Sequence, residues 1–385
     1  MQIIHIVLGK ADPDRLNGVN RAVWALANTQ AELGVDVRVW GITPTPQNVP
    51  TYKANYALTL FKNQPFRTVD PALKAALKVA LSKNKRLIVH LHGGFIIEWW
   101  WLSRFLTQNG IGYVVTPHNT YNEGAMANNA LLKKLSFVAL EVSFLKKAAC
   151  VHLLGISEQR GIEKLAEEAS IHLKIIPNGY SAAETEGVSP IRLPLQTDTG
   201  LSIVYCGRLT IYQKGLDLML QSFARFVKAH QNLDGKLYLI GDGEDRGKLE
   251  HLAKELGIEQ QVHFLGARFG NEKLGLMLAA NYFIHTSRFE GIPMAVLEAA
   301  SLGKPCLVTH ETNMADSIKA YNAGFVAKSL KLEDLTALFE EAYVSKSVNL
   351  LNTMEQNAKN MIEKQFNQKY IAQQIIKLYQ EVYKS

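Results

Sequence analysis

The sequence predicts an α/β protein made of two successive units, each a parallel sheet flanked by helices. Three observations point there. Short apolar runs alternate with amphipathic helical stretches along nearly the whole chain. The alternation stops between Ala183 and Gly200, where ETEGVSPIRLPLQTDTG is rich in Ser, Thr, Pro and Gly, and then restarts as it would after an interdomain linker. The length of 385 residues, with 47% hydrophobic and 20% charged content, suits two or three globular domains, since single cores stop growing near ~250–300 residues.

Taken in order, QIIHIVLG reads as a strand and RAVWALANTQAELG as a helix. VDVRVWGI is a strand, DPALKAALKVALSKN a helix, and RLIVHLHGG a strand. IIEWWWLSRFLTQNG is helical, IGYVVTPH extended, and ALLKKLSFVALEVSFLKKAA helical. VHLLGIS, EQRGIEKLAEEA and LKIIPNG follow as strand, helix and strand. Beyond the linker, LSIVYCG, LYLIGDG, VHFLGA, YFIHTSR and KPCLVT are strands with helices between them. The tail FNQKYIAQQIIKLYQEVYKS is one long amphipathic helix.

Composition narrows the function classes. Cys150, Cys206 and Cys306 are odd in number and far apart, which excludes a disulfide framework or a C-x-x-C site and points to a reducing compartment. The first apolar stretch, Ile3 to Leu8, lacks a basic leader and a cleavage site, and no run approaches the ~18 residues of a spanning helix. A cytoplasmic protein is expected, at most peripheral to a membrane. The net charge is +7, and residues 1–187 hold 20 Lys/Arg against 14 Asp/Glu while the remainder is nearly balanced. No aromatic-interleaved basic cluster supports nucleic acid as a partner. The surplus reads equally as a solvated surface or as a face for an anionic partner.

Ligands of open parallel sheets bind beyond the carboxyl ends of the strands, and the residues with chemistry follow strands here. In HTSRFEGIPMAVLEAASLGKPCLVT, a strand ends in a loop carrying Glu290 and Gly291. Pro293 suits the first turn of the next helix, and the backbone N–H groups between Ile292 and Ala295 form a natural phosphate site. Glu298 lies inside that helix, eight residues after Glu290. At helical rise the two carboxylates would stand ~12 Å apart, beyond the ~5–9.5 Å of a glycosidase pair, so they suit two ends of one elongated ligand. In VYCGRLTIYQKGLDLMLQSF, Arg208 follows a strand and Gly207, and Lys214 opens the next helix beside Gly215. Guanidinium and ammonium together suit a diphosphate. Alone, two cations flanking a loop describe an ordinary surface just as well.

Together these stretches resemble the retaining glycosyltransferases of GT-B type, specifically glycosyltransferase family 4 (group 1). The resemblance covers nearly the whole chain. Its most specific piece is E-x(7)-E at Glu290 and Glu298, joined by GRLTIYQKG, LIGDGEDRGKLEHLAKELG, IPNGY and LNGVNRAVWALANTQAELG. It implies two Rossmann-like domains facing across a cleft: residues 1–185 for the acceptor, 186–365 for the nucleotide sugar, and a helix 366–385 returning to the N-terminal domain. It also implies a retaining transfer of a hexose, without metal or cofactor, from a nucleotide-diphosphate sugar to a glycan, lipid-linked or small-molecule acceptor. Polysaccharide or glycolipid synthesis is the expected setting. UDP-glucose is favoured as donor by its frequency in the family, with GDP-mannose the rival. Lipid-linked acceptors and the basic first half point to peripheral contact of the N-terminal domain with the inner face of the plasma membrane.

The resemblance also assigns roles. Arg208 and Lys214 hold the diphosphate and offset charge on the leaving nucleotide. Glu298 takes the ribose hydroxyls, while Glu290 takes the sugar hydroxyls with the backbone of Gly291, Ile292, Pro293 and Met294. Gly266 and Ala267 form the base loop. Gly18 approaches the phosphates from the other domain, because a residue without Cβ permits that closeness, although Asn17-Gly18 replaces the family's frequent Gly-Gly. His118, at the end of IGYVVTPH, matches the histidine near the transferred sugar. A lone histidine at a strand end is otherwise structural. His90 reads as a core position, and His92 as a residue lining the acceptor side.

Three other features have plainer readings. Asp12-Pro13-Asp14 has the D-x-D spacing of metal-dependent transferases but reads as a loop turn. GDGEDRG has the spacing G-x-G-x-x-x-G and falls in the second unit's second strand–helix step, unlike a dinucleotide fingerprint. Trp99, Trp100 and Trp101 cannot share one helix face, so some are core and at least one is exposed. Two further functions compete with a transferase. A sugar-nucleotide epimerase or hydrolase of the same shape would lack the E-x(7)-E element. An NAD-dependent oxidoreductase would need an intact G-x-G-x-x-G opening a domain.

Overall fold

The computed structural model describes residues 1–13, 18–65, 68–84, 86–122, 140–197 and 199–384. Asp14, Asn17 and the first half of the helix expected over 130–149 lie outside the described residues. The chain divides into two compact units, Met1–Gly179 with Gln368–Ser385, and Tyr180–Asn367. The first boundary therefore falls earlier than the change in composition at 185/186. Tyr180 already belongs to the second unit, where it is buried, donates its N–H to the Phe366 carbonyl (2.8 Å) and bridges to Asn367.

The first unit contains β1 (Gln2–Leu8), α1 (Gly18–Glu32), β2 (Asp36–Thr43), β3 (Ala57–Lys62), α2 (Pro71–Lys83), β4 (Leu87–His92), α3 (Ile97–Gln108), β5 (Gly112–Thr116), α4 (Val142–Lys146), β6 (Cys150–Leu153), α5 (Ile156–Ala169) and β7 (Leu173–Ile175). From the end of the chain it adds α14 (Gln368–Lys384). The sheet is parallel throughout, in the order β3-β2-β1-β4-β5-β6-β7. Central strands buried on both faces read as near-continuous apolar runs, as β1 and β4 do apart from Gln2, His5, His90 and His92. Ile4 and Ile6 pack on one face with residues of α2 and α3. Ile3 and Val7 pack on the other with Val23 of α1 and Ile371, Ile375 and Tyr379 of α14. Strand β3 was not expected; it is an edge strand with a half-exposed, alternating sequence. Asp70 caps α2, its carboxylate accepting from the Ala72 N–H at 2.9 Å.

The second unit holds β8 (Leu201–Cys206), α6 (Ile211–Lys214), α7 (Leu216–Ala229), β9 (Gly235–Ile240), α8 (Arg246–Glu255), β10 (Val262–Gly266), α9 (Gly270–Ala279), β11 (Tyr282–His285), α10 (Met294–Ser301), β12 (Cys306–Val308), α11 (Ala315–Tyr321), β13 (Gly324–Val326), α12 (Leu332–Ser347) and α13 (Leu351–Gln365). Its parallel order is β10-β9-β8-β11-β12-β13. The stretch expected to be a linker is instead fastened to this unit. Leu193 is buried, the Ile191 N–H reaches the Gly275 carbonyl (3.0 Å), and the Tyr238 hydroxyl donates to the Pro194 carbonyl (2.8 Å).

Both sheets reverse strand order once, between β1 and β4 and between β8 and β11. Such switch points open the crevices in which α/β proteins bind ligands. The three cysteines are buried and form no disulfide. No helix among the described residues is long and apolar enough to cross a membrane.

Candidate functional site

In the second unit, the loops after β8 and β11 meet at the strand-order reversal. After β8 come Gly207 and the exposed Arg208, whose carbonyl accepts from the Tyr205 hydroxyl (2.9 Å). The short helix α6 follows and ends at Lys214. Gly215 then turns left-handed (φ 62°), and a Cβ there would strike the Thr286 carbonyl oxygen just beyond β11. The Thr286 hydroxyl donates back to the Lys214 carbonyl (3.2 Å). Arg288 completes the stitching. Its guanidinium grips both oxygens of Asp217, in the first turn of α7, at 2.9 and 2.8 Å, and its N–H reaches the Gln213 carbonyl (2.8 Å).

That geometry brings Lys214 against Glu290 in a buried ion pair. The Ser287 hydroxyl donates to the same carboxylate (3.3 Å), and His285 Nε2 stands 3.5 Å away. Burial pushes the Glu290 carboxyl up, but the Lys214 ammonium and His285 outweigh it and hold the group down at about 2. Burial and the Lys214 charge lower His285, which stays neutral. The loop itself is held by Asn313, whose side-chain amide donates to the carbonyls of Glu290 (2.6 Å) and Gly291 (3.1 Å).

Helix α10 begins at Met294, with Pro293 at the N-cap rather than in the first turn. The Pro293 carbonyl accepts from Val296 (3.0 Å) and Leu297 (3.3 Å), and the amides of Met294 and Ala295 have no intrahelical partner. Pro293 has no N–H to offer. Glu290 lies in the loop, so helical rise does not measure its distance from Glu298. Their partners separate them instead: Glu298, almost wholly buried, pairs with Lys273 of α9 at 2.8 Å. Gly266 and Ala267 close β10, where the Gly241 N–H donates to the Gly266 carbonyl (2.8 Å). The glycines of GDGEDRG have a packing reason, since a Cβ on Gly241 or Gly243 would meet the Gly207 or Leu209 carbonyl.

In the first unit, His118 sits two residues past β5 with a left-handed backbone (φ 51°), as does Asn119 (φ 71°). Such strain persists where surroundings enforce it. Here the buried Glu158 accepts from the Asn119 N–H and from the Leu154 N–H (2.8 Å), and burial raises its carboxyl to about 7. His118 Nε2 lies 2.9 Å from His92 Nδ1. His92 is 3% exposed, so it does not line an acceptor surface. His90 is a core residue, bonded to Tyr379 (2.6 Å) and Thr116 (2.7 Å). Gly18 is the exposed first residue of α1, with nothing near the place a Cβ would occupy. Trp99 is buried, Trp100 half-buried beneath Arg104 (5.0 Å), and Trp101 exposed.

Sequence reasoning missed Lys273, His285, Arg288, Asp217 and Asn313, all of which hold the named residues rather than carrying a motif. It also missed His5, Gln30, His152 and Tyr379. The histidines lie inside apolar strands, and nothing local in sequence distinguishes them from other core positions.

Comparison with known proteins gives two family matches that lie side by side: Glycosyltransferase Family 4 over residues 16–184 and Glycosyl transferases group 1 over residues 194–361. An uncharacterized glycosyltransferase of Methanocaldococcus jannaschii is 30% identical over 197 residues, 50% of this chain and 46% of its own length. The chain thus spans about half the length of that curated relative. Among solved structures, the sucrose-phosphate synthase of Thermosynechococcus elongatus superposes with a TM-score of 0.78 at 18% identity, covering 99% of both chains. HepE of Anabaena, in complex with UDP and glucose, gives 0.76 at 17%, covering 99% of this chain and 100% of its own. These likenesses identify the fold as GT-B. With both halves matched in order by its two characteristic models, the chain belongs to the family 4, group 1 glycosyltransferases.

Proposed function

We propose that this protein transfers a hexose from a nucleoside-diphosphate sugar to a hydroxyl acceptor, with retention at the anomeric carbon and without a metal ion. The observation that carries this reading is the buried Lys214–Glu290 pair at the β8/β11 reversal, next to Arg208 and the open N-terminus of α10. An ammonium, a guanidinium and unpaired helix amides together match a diphosphate. In this reading Lys214 turns from Glu290 to the diphosphate when donor binds, which frees the Glu290 carboxylate to accept from sugar hydroxyls. Arg208 and Lys214 then offset charge developing on the leaving nucleotide. Glu298 takes the ribose, Gly266 and Ala267 the base, and His118 and Gly18 serve from the first unit.

UDP-glucose is the preferred donor. Its support is the family's habit and the HepE structure, which holds UDP and glucose. A glycan or lipid-linked acceptor, at the inner face of the plasma membrane, is the preferred partner. The experiment is a binding panel of UDP, GDP, their hexose conjugates and NAD, followed by NMR of the product's anomeric proton. Binding of UDP-glucose and an α-anomeric product are expected. Binding of NAD alone would overturn the reading, and an inverted anomer would overturn its stereochemistry.

A further inference from the structure

Five buried or half-buried histidines of the first unit lie in two hydrogen-bonded rows on the sheet face covered by α1 and α14. One row runs His118 Nε2 to His92 Nδ1 (2.9 Å), His92 Nε2 to His5 Nδ1 (2.9 Å), and His5 Nε2 to Gln30 Oε1 of α1 (2.8 Å). The other runs Tyr379 Oη of α14 to His90 Nδ1 (2.6 Å), His90 Nε2 to Thr116 Oγ1 (2.7 Å), Thr116 Oγ1 to His152 Nδ1 (2.7 Å), and His152 Nε2 to the Ile176 carbonyl (2.7 Å). Burial lowers every one of them: His5 and His152 to about 4, His118 to about 3, and His90 and His92 well below the ordinary value. The rings are therefore neutral, each with one donor and one acceptor nitrogen.

Neutral rings make the direction of every bond deducible. The Ile176 carbonyl only accepts, so His152 carries its proton on Nε2 and accepts at Nδ1 from the Thr116 hydroxyl. Thr116 accepts from His90 Nε2–H, and His90 Nδ1 accepts from the Tyr379 hydroxyl. The Gln30 side chain of α1 sets the other row: its oxygen, which only accepts, stands 2.8 Å from His5 Nε2. The first row then follows: His5 donates from Nε2 and accepts at Nδ1 from His92, and His92 accepts at Nδ1 from His118.

We infer that this chain of bonds is a positioning device that fixes His118 as the Nε2–H tautomer, so that its Nδ1 is an obligate hydrogen-bond acceptor toward bound ligand. Among the described residues no hydrogen bond is made by that nitrogen, on a ring that is only half-buried. If His118 meets the donor sugar, as the proposed function holds, it accepts from a sugar hydroxyl and donates nothing. His5, His92 and Gln30 act through it. The nearby nitrogens of His5, His90 and His92 have the spacing of a metal site, but every lone pair there already accepts a proton from its neighbour.

The test is long-range ¹H–¹⁵N spectroscopy of the ¹⁵N-histidine-labelled full chain without ligand, with kcat and KM measured alongside. The wild type is expected to show Nε2–H for all five histidines. His92→Leu removes the acceptor of His118, so its ring should interconvert between tautomers and kcat should fall roughly tenfold, the worth of one hydrogen bond. His92→Gln, whose amide accepts from His118 and donates to His5, should restore both the tautomer and most of the turnover. An Nδ1–H signal for His118 in the wild type would overturn the inference, and that result needs no variant to fold. So would an unchanged tautomer in His92→Leu, or stoichiometric Co²⁺ binding that is lost in His90→Gln. Because the spectra are recorded without ligand, failure of the donor assignment leaves them unaffected and is seen separately.

Discussion

Breaking the Lys214–Glu290 pair should cost the second unit much of its stability and blunt that unit's response to acid. The side chains are only 13% and 10% exposed, so solvent screens them little. Glu290 falls from the ordinary 4.5 to about 2. At ~1.4 kcal/mol for each tenfold change in proton affinity, that is about 3 kcal/mol of native-state stabilisation. Because the folded value lies below the unfolded one, this contribution is complete above 4.5 and is lost as pH falls toward 2. In Lys214→Met only His285 and Ser287 still oppose burial, so the carboxyl rises from about 2 and acidification should cost the unit less than it costs the wild type. Removing one partner leaves a buried charge uncompensated, whereas Lys214→Met with Glu290→Gln removes both charges. The double-mutant cycle should therefore show a coupling of about 3 kcal/mol. All five tryptophans (Trp24, Trp40, Trp99, Trp100 and Trp101) lie in the first unit, so fluorescence would miss the effect. Hydrogen exchange in β8 and β11 reads it directly. A coupling below ~0.5 kcal/mol, as for an exposed pair, or the same acid response in wild type and Lys214→Met, would refute the reasoning.

The remaining predictions concern binding and catalysis. Glu298→Gln should weaken nucleoside-diphosphate affinity by ~1–3 kcal/mol for a lost buried partner, while Glu290→Gln and His118→Ala should spare that affinity and lower kcat. Equal losses by calorimetry in all three would show that the ribose and sugar ends are misassigned. Transfer should persist in EDTA; loss that manganese restores would bring Asp12 and Asp14 back into consideration. The protein should float with anionic liposomes at low salt through basic stretches of the first unit such as LKAALKVALSKNKR, where Lys78 and Lys83 are exposed, with ~1 kcal/mol from each basic residue near the surface. Absence of flotation on anionic vesicles would retire the membrane contact.

The sequence alone determined the two α/β units, because parallel strands buried on both faces are continuous apolar runs and amphipathic helices keep their own period. It also placed Arg208, Lys214 and Glu290 in the segments after strands and Glu298 inside the following helix, because such positions are local features of the chain. Edge strand β3 escaped because its half-exposed alternation is weak, and the supposed linker escaped because composition does not reveal that Ile191 and Pro194 are hydrogen-bonded to the second unit. Pairing was left to the tertiary structure. Lys214 and Glu290 are 76 residues apart, and His90 and Tyr379 are 289 apart. Which buried charge meets which, and which way a row of neutral imidazoles points, depends on strands brought side by side in a low-dielectric interior. There one carbonyl, that of Ile176, orders the protons of His152, Thr116, His90 and Tyr379, which come from three strands and one helix.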